Sequence, residues 1–299
     1  MSEETSFRFI FEDTDIRGDL VRLGKSYRSV IEVHDYPKPV ADLLGEFLVA
    51  SVLLSSTIKF KGRLVLQIRS QGKIPLLMVE ATHTKKIRGI ARLAKTTSDD
   101  GIEQNVDISP DDDFATLFTN GTLVVIVDPV TGEQYQSVVP LEGESLEVCL
   151  THYFAQSEQL GTAVKLAADG VNAAGFLLQQ LPAQMVRDPK ARALQWEHHV
   201  ILGKSAKAGE LLTLDAPTLL QLLYAQETIQ VMTTASVKYE CSCSEGRTAR
   251  ALVVLDPDEL ESLFSELGSI SMHCEFCLTG YEFTRESLAE IVRGDVITH

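Results

Sequence analysis

Nowhere in these 299 residues is there a continuous apolar run of the roughly twenty residues that cross a bilayer. The longest candidates, around 52–54 and over 122–127, stop far short, so no membrane span is expected. The opening MSEETSFRFIFEDTD lacks both a basic leader and an apolar stretch behind it, so no secretory signal is expected and a cytoplasmic location is. Basic residues are scarce: 27 Lys and Arg stand against 42 Asp and Glu, for a formal charge of −15. Such a field repels phosphate backbones and anionic lipid, so neither nucleic acid nor membrane is an expected partner. Low-complexity tracts are missing too, and a 44% hydrophobic share with ten dispersed prolines argues against a disordered or fibrous chain. No G-x-x-x-x-G-K-[ST] loop, H-E-x-x-H helix or G-x-S-x-G elbow occurs. ATP-driven chemistry has no seat, and no nucleophile, base and electrophile-stabilising group stand in a known order, so the protein is not expected to be an enzyme.

What is present is a chain about twice the usual domain size, which favours two packed units. Over 42–56 the apolar positions Leu43, Leu44, Phe47, Leu48 and Val52 recur at helical spacing and predict a buried helix. Alternation at Leu64, Leu66 and Ile68, a turn at 71–73 and a second extended stretch over 75–82 predict a hairpin. A short helix over 114–118, a strand over 123–127, a helix over 146–156 and strands over 164–168 and 174–181 complete a mixed region closed by Pro182. Together these predict an α+β fold: an N-terminal α/β core over 1–182, with mostly antiparallel sheets and packed helices. The acidic run Asp111, Asp112 and Asp113 reads as a helix start rather than a metal site.

Beyond Pro189 the chain becomes helical over 191–202 and 217–226, the latter capped by Asp215. Trp196, Val200, Ile201, Leu202, Leu211, Leu212, Leu214, Leu219, Leu220, Leu222, Leu223 and Tyr224 crowd a stretch with six basic and six acidic residues between Arg187 and Glu240. A solvated linker does not have that composition. Short helices cannot bury these side chains among themselves, so 183–237 is expected to be a helical linker docked on a neighbouring unit.

Four of the five cysteines fall in the last 59 residues, as Cys241-Ser242-Cys243 and, thirty residues on, Cys274-Glu275-Phe276-Cys277. Two thiol pairs at the ends of a small module are the ligand set of a tetrahedral zinc site, so 238–299 is expected to be a zinc-binding domain. Between the pairs Asp256, Pro257 and Glu259 start a helix whose face is Leu260, Leu263, Phe264 and Leu267, and Gly268 ends it; Gly280 is expected to supply a knuckle turn. Eleven acidic against four basic residues over 241–299 disfavour a nucleic-acid zinc ribbon. The alternative is a thiol-disulfide oxidoreductase using Cys274 and Cys277, but such active sites open a long helix inside a βαβ unit, whereas this C-x-x-C precedes Gly280 near the chain end beside a second cysteine pair. Cys149 reads as a small buried hydrophobe, His273 as a neighbour of a shell that four sulfurs complete, and His198 with His199 as helix-surface residues.

These residues resemble the 33 kDa chaperonins, the redox-regulated heat-shock holdases of bacteria. The likeness rests on Cys241-x-Cys243 and Cys274-x-x-Cys277 with Tyr281 and Phe283 after them, on Asp15-Ile16-Arg17-Gly18, and on 153–159 (YFAQSEQ) and 174–182 (AGFLLQQLP). At Leu160-Gly161-Thr162 the chain departs from the pattern, which has a proline before the threonine. The resemblance implies a core, a docked helical linker and a zinc module acting as redox sensor, without ATP. It implies that Cys241, Cys243, Cys274 and Cys277 are both zinc ligands and switch, pairing Cys241 with Cys243 and Cys274 with Cys277 when oxidised. Oxidation would release zinc, unfold module and linker, and let a homodimer bind unfolding client proteins.

Overall fold

The computed structural model describes residues 4–98 and 100–296; the outermost residues of the first and last expected segments, 1–3 and 297–299, lie outside them, as does Asp99. The chain divides into two compact units between Tyr239 and Glu240.

The first unit opens with β1 (Thr5–Phe11), β2 (Ile16–Leu23), α1 (Lys25–Ile31), α2 (Lys38–Thr57), β3 (Gly62–Arg69), β4 (Leu76–Thr82) and β5 (Lys86–Arg92). A small ribbon of β6 (Lys95–Thr97) and β7 (Glu103–Asn105) precedes α3 (Phe114–Leu117), β8 (Thr122–Pro129) and β9 (Tyr135–Pro140). Next come α4 (Leu146–Tyr153), with a π-helical turn over Phe154–Glu158, then β10 (Thr162–Ala168) and β11 (Ala173–Gln180). Helices α5 (Pro189–Lys204), α6 (Ala208–Thr213) and α7 (Ala216–Leu223) lead to β12 (Ile229–Ser236) and β13 (Lys238–Tyr239). The fold is α+β. One sheet has the order β10-β11-β2-β1-β12 and is antiparallel throughout; the other runs β13-β5-β4-β3-β8-β9, with β13 parallel to β5 and every other pair antiparallel.

Helix α2 lies between the two sheets. Its Leu44, Phe47, Leu48, Val52 and Leu53 are wholly buried with Leu64, Leu66, Leu77 and Val79 from one sheet and Val21 and Leu177 from the other. A helix covered on both sides is apolar all round, and α2 is accordingly long and apolar enough to cross a membrane by length and composition, with 72% of that stretch buried in the protein. Asp42, Glu46, Ser51 and Ser55 break up its apolar run, so a search for continuous apolar residues passes it over.

The far face of the five-stranded sheet carries a second core. Strand alternation sends Phe9, Phe11, Ile16, Leu20, Phe176 and Leu178 to this side, where Leu211, Leu212, Leu219, Leu220 and Tyr224 cover them. Gly18 makes the close approach possible, since a Cβ there would sit 2.1 Å from the Phe9 ring. Two expectations need correction. Residues 183–237 are not helical to their end, because Ile229–Ser236 is a strand beside β1. Nor are all the apolar side chains of this stretch buried: Ile201 is 62% exposed and Leu222 55%.

The second unit contains α8 (Glu245–Val253), α9 (Pro257–Leu267), β14 (Ile270–His273), β15 (Gly280–Phe283) and α10 (Arg285–Val296). Asp256 caps α9 by accepting from the Asp258 N–H at 2.9 Å, and Gly268, at φ 75°, ends it. Leu260, Leu263 and Phe264 face inward as expected, whereas Leu267 is 63% exposed. Among the described residues, the buried apolar side chains of this unit are Ala249, Leu252, Phe264, Ile270, Phe283 and Leu288. Below about 70–80 residues a single apolar core rarely supplies more than about 3–5 kcal/mol, so a unit of this size commonly depends on a metal or cross-link.

Candidate metal centre and apolar latch

Two local structures bring the four sulfurs together. Cys241 and Cys243 sit on the extended approach to α8, where Ser244 caps the helix by accepting from the Arg247 N–H. The Arg247 guanidinium returns to donate to the Ser242 carbonyl and hydroxyl, both at 2.9 Å, and so braces the residue between the two thiols. Cys274 and Cys277 occupy the turn joining β14 to β15. The Cys274 carbonyl accepts from the Leu278 N–H at 2.7 Å, and the Cys274 N–H donates to the Thr279 carbonyl at 2.9 Å. The turn's left-handed residue is Leu278, at φ 56°, and not Gly280, which begins β15 opposite His273.

Cys241 and Cys274 sulfurs lie 3.7 Å apart, those of Cys243 and Cys277 3.5 Å, and all four fall within 4.8 Å of one another. None is in a disulfide. A tetrahedron with metal–sulfur bonds of about 2.3 Å has edges of about 3.8 Å, so the cluster has the size that one four-thiolate ion demands. Among the described residues no other His, Cys, Asp and Glu group meets the same spacing.

Surrounding groups tune these thiols. Burial pushes Cys277 up, but the Thr279 hydroxyl and N–H and the neighbouring sulfurs outweigh it and bring the thiol down to about 7. Burial dominates at Cys274, which is raised. The Tyr281 hydroxyl donates to the Cys243 sulfur at 3.1 Å, a supporting contact that sequence spacing did not disclose. His273 is exposed beside the cluster. The C-x-x-C pair lies in a β-turn rather than at the start of a helix, so the setting of a dithiol oxidoreductase is missing.

Elsewhere the residues singled out from sequence have structural duties. Cys149 is 2% exposed inside the main core, and burial pushes its thiol up to about 11. Asp113 caps α3 through the Thr116 N–H, and Asp112 pairs with Lys73. His198 is exposed, but His199 is buried against Phe11 and Tyr224, which corrects its surface assignment. Tertiary folding also brings Glu227 within 3.3 Å of His198 Nε2 and 3.7 Å of His199 Nε2.

Two side chains of the core tie down the stretch after β11. Asp15, 6% exposed, accepts from the N–H groups of Gln184 (3.1 Å), Met185 (2.9 Å) and Val186 (3.2 Å) and from the Arg192 guanidinium (2.9 Å). Burial alone would raise its pKa, but these donors more than offset it and hold the carboxyl below its ordinary value. Arg22 donates to the Leu212 carbonyl at 2.7 Å and to the carbonyls of Thr213 and Leu214, holding the end of α6. Asp15 was legible as part of a motif, but neither its anchoring role nor that of Arg22 was.

Comparison with known proteins agrees over nearly the whole chain. The family described as Hsp33 protein matches residues 4–284. A 33 kDa chaperonin of Pseudomonas fluorescens (strain Pf0-1) is 44% identical over 288 residues, covering 96% of this chain and 93% of that protein. One of Azotobacter vinelandii (strain DJ) is 46% identical over 288 residues, covering 96% and 94%. The crystal structure of the 33 kDa chaperonin of Thermotoga maritima superposes with a TM-score of 0.78 over 99% of both chains, at 23% identity, and so shows the shared fold.

Proposed function

The chain belongs to the Hsp33 family, a chaperone rather than an enzyme, and from that premise we propose that it is an ATP-independent holdase switched by oxidation of Cys241, Cys243, Cys274 and Cys277. One observation carries the reading: four sulfurs at metal-ligand spacing lie in a small unit, Glu240–His299, with a modest apolar core. The ion is zinc, which four thiolates suit and which takes no part in electron transfer. When bound it contributes roughly 10–16 kcal/mol of apparent folding free energy in such modules.

Peroxide or hypochlorous acid supplies the oxidising equivalents. With peroxide, each cysteine pair loses two electrons and two protons, forms one S–S bond, and leaves two waters. A disulfide offers no thiolate donor, so the cluster loses its ligands two at a time. Pairing Cys241 with Cys243 and Cys274 with Cys277 fits this outcome. A bond from Cys241 to Cys274, 33 positions apart, would instead staple the unit and stabilise it by about 4 kcal/mol.

Residues 183–237 form the latch. Leu211 and Leu219 are fully buried against the five-stranded sheet, and each contributes about 1.5–3 kcal/mol to docking. Once the cysteine unit is unfolded, this stretch loses its folded neighbour in the chain. Its apolar side chains and the sheet face beneath them are then open to unfolding client proteins. The active form is a homodimer in the cytoplasm. Exchange measurements on the full chain test the switch: peroxide with mild heat speeds amide exchange over 187–240 and leaves 1–182 protected apart from the β1 edge that β12 covers. Uniform protection after complete metal loss refutes it.

A further inference from the structure

We propose that the edge of β1 is a client-binding site which β12 fills while the protein is inactive, and that an extended, uncharged segment of an unfolding polypeptide takes the place of β12 once it leaves. The proposal deepens the holdase reading and rests on it, because that reading releases the stretch containing β12.

β1 lies between β2 and β12, and β12 is the outermost strand of its sheet. The Val237 N–H donates to the Glu4 carbonyl and the Glu12 N–H to the Thr228 carbonyl. By the alternation of an antiparallel ladder, Ser6, Arg8 and Ile10 therefore turn their backbone groups to β12 and the odd-numbered residues turn theirs to β2. The two partners are unequal. The β1–β2 register is continuous, whereas the β1–β12 register shifts between Arg8 and Phe9, leaving Met232 as an extra residue. Each end of β12 is attached to a part of the switch: α7 of the latch ends at Leu223, and Cys241 follows Ser236 by five residues. Freeing either end removes support from the strand with the poorer ladder.

The resident strand indicates what the vacated edge accepts. Ile229–Ser236, IQVMTTAS, has no charge, proline or glycine. It meets β1 through backbone pairing beside the side chains of Phe7, Phe9 and Phe11, two of which are covered by the latch helices through Leu211, Leu219 and Tyr224. When latch and β12 depart together, β1 offers unpaired N–H and C=O groups along one side and a row of aromatic rings on its face. Strand addition draws its affinity from the main chain, so it tolerates many client sequences. It also excludes folded proteins, whose own sheet edges are paired or guarded. That combination suits capture of unfolding chains in general.

The test uses the full-length oxidised protein, amide exchange at Ser6, Arg8 and Ile10, and a synthetic peptide of residues 227–237. Oxidation should speed exchange at those amides at least tenfold. The peptide should restore protection and displace thermally unfolding malate dehydrogenase from the oxidised protein. A peptide N-methylated at Gln230, Thr233 and Ala235, whose N–H groups face β1, should do neither, while methylation at Val231 and Thr234 should be harmless. Equal performance of the two methylated peptides, or retained protection of the three amides after complete oxidation, overturns the site. Protection that disappears on dilution to monomer assigns the edge to a second copy and overturns it as well. Within the chain, Thr233→Pro should free the edge at lower oxidant than wild type and Thr234→Pro should not. If the oxidised protein suppresses no aggregation the holdase reading fails, and the peptide's effect on exchange still decides whether β1 accepts a strand.

Discussion

Replacing Asp15 with asparagine keeps the side chain's shape and removes the charge that three successive backbone N–H groups and Arg192 share. An asparagine can turn its carbonyl toward part of this set, but its amide then points donors at donors. Arg192, whose side chain is 19% exposed, loses its carboxylate. Breaking a buried ion pair from one side costs about 3–5 kcal/mol, and each charge-assisted hydrogen bond about 1.5–3. Allowing for partial rescue by the amide, Asp15→Asn should weaken docking of the latch's first part by about 3 kcal/mol, on the order of a 100-fold shift toward the undocked form. The pH dependence has a definite sign. Because the folded-state carboxyl sits below its ordinary value, its contribution is fully present above the unfolded pKa of about 4 and is lost as pH falls through the lowered folded value. The assay is amide exchange over 183–204 in the reduced, metal-loaded protein at pH 7, beside light scattering of a heat-denatured client. Faster exchange there with an intact cysteine unit, and partial client protection without oxidant, are expected. Wild-type exchange in the variant would refute the latch.

Other perturbations probe separate parts of the account. Tyr281→Phe removes the hydroxyl that donates to the Cys243 sulfur and should weaken metal retention about 10- to 100-fold in a chelator competition with the fold unchanged; unaltered retention would show that the contact is incidental. Gly203→Ala would place a Cβ 2.7 Å from the Tyr224 hydroxyl and 2.9 Å from the Phe176 ring, costing about 1–3 kcal/mol by overpacking where α5 meets the sheet. Limited proteolysis should then cut 183–237 at a lower oxidant dose, and an identical dose response would contradict the packing argument. Glu46 is partly buried on α2, and burial first, then Glu147 and Asp42, push its carboxyl up to about 7. The unfolded chain gives up this proton near pH 4.5 and the folded chain near pH 7, so stability falls as pH rises through that window. Glu46→Gln should therefore match wild type at pH 4 and exceed it by about 1–3 kcal/mol at pH 8 in denaturant melts; equal gains at both pH values would refute the cause given.

The parts of this fold written in local pattern were legible from sequence. Asp113, Asp215 and Asp256 each cap the helix they were expected to cap, because a cap is a contact over two or three residues. The buried helix α2 follows from periodicity, and the hairpin of β3 and β4 from alternation with the turn at 71–73. β12 does not: its apolar residues fail to alternate, and its partner β1 is more than 200 positions away. His199 looked like a surface residue because its cover, Phe11 and Tyr224, comes from a strand and a helix end that no window includes. At the candidate metal centre, spacing brought out the four cysteines. It did not predict Leu278 as the left-handed residue of the turn, or Tyr281 as a donor to sulfur, since both depend on how β14 and β15 pair.

The central claim is that loss of the ion held by Cys241, Cys243, Cys274 and Cys277 is what turns client capture on. Metal release, followed with a chromogenic chelator during graded peroxide treatment at elevated temperature, should rise in step with suppression of client aggregation in the same samples. Serine at all four positions should yield a metal-free protein that protects the client without oxidant. Full protection by the reduced, metal-loaded protein, or none after complete metal loss, would contradict the account.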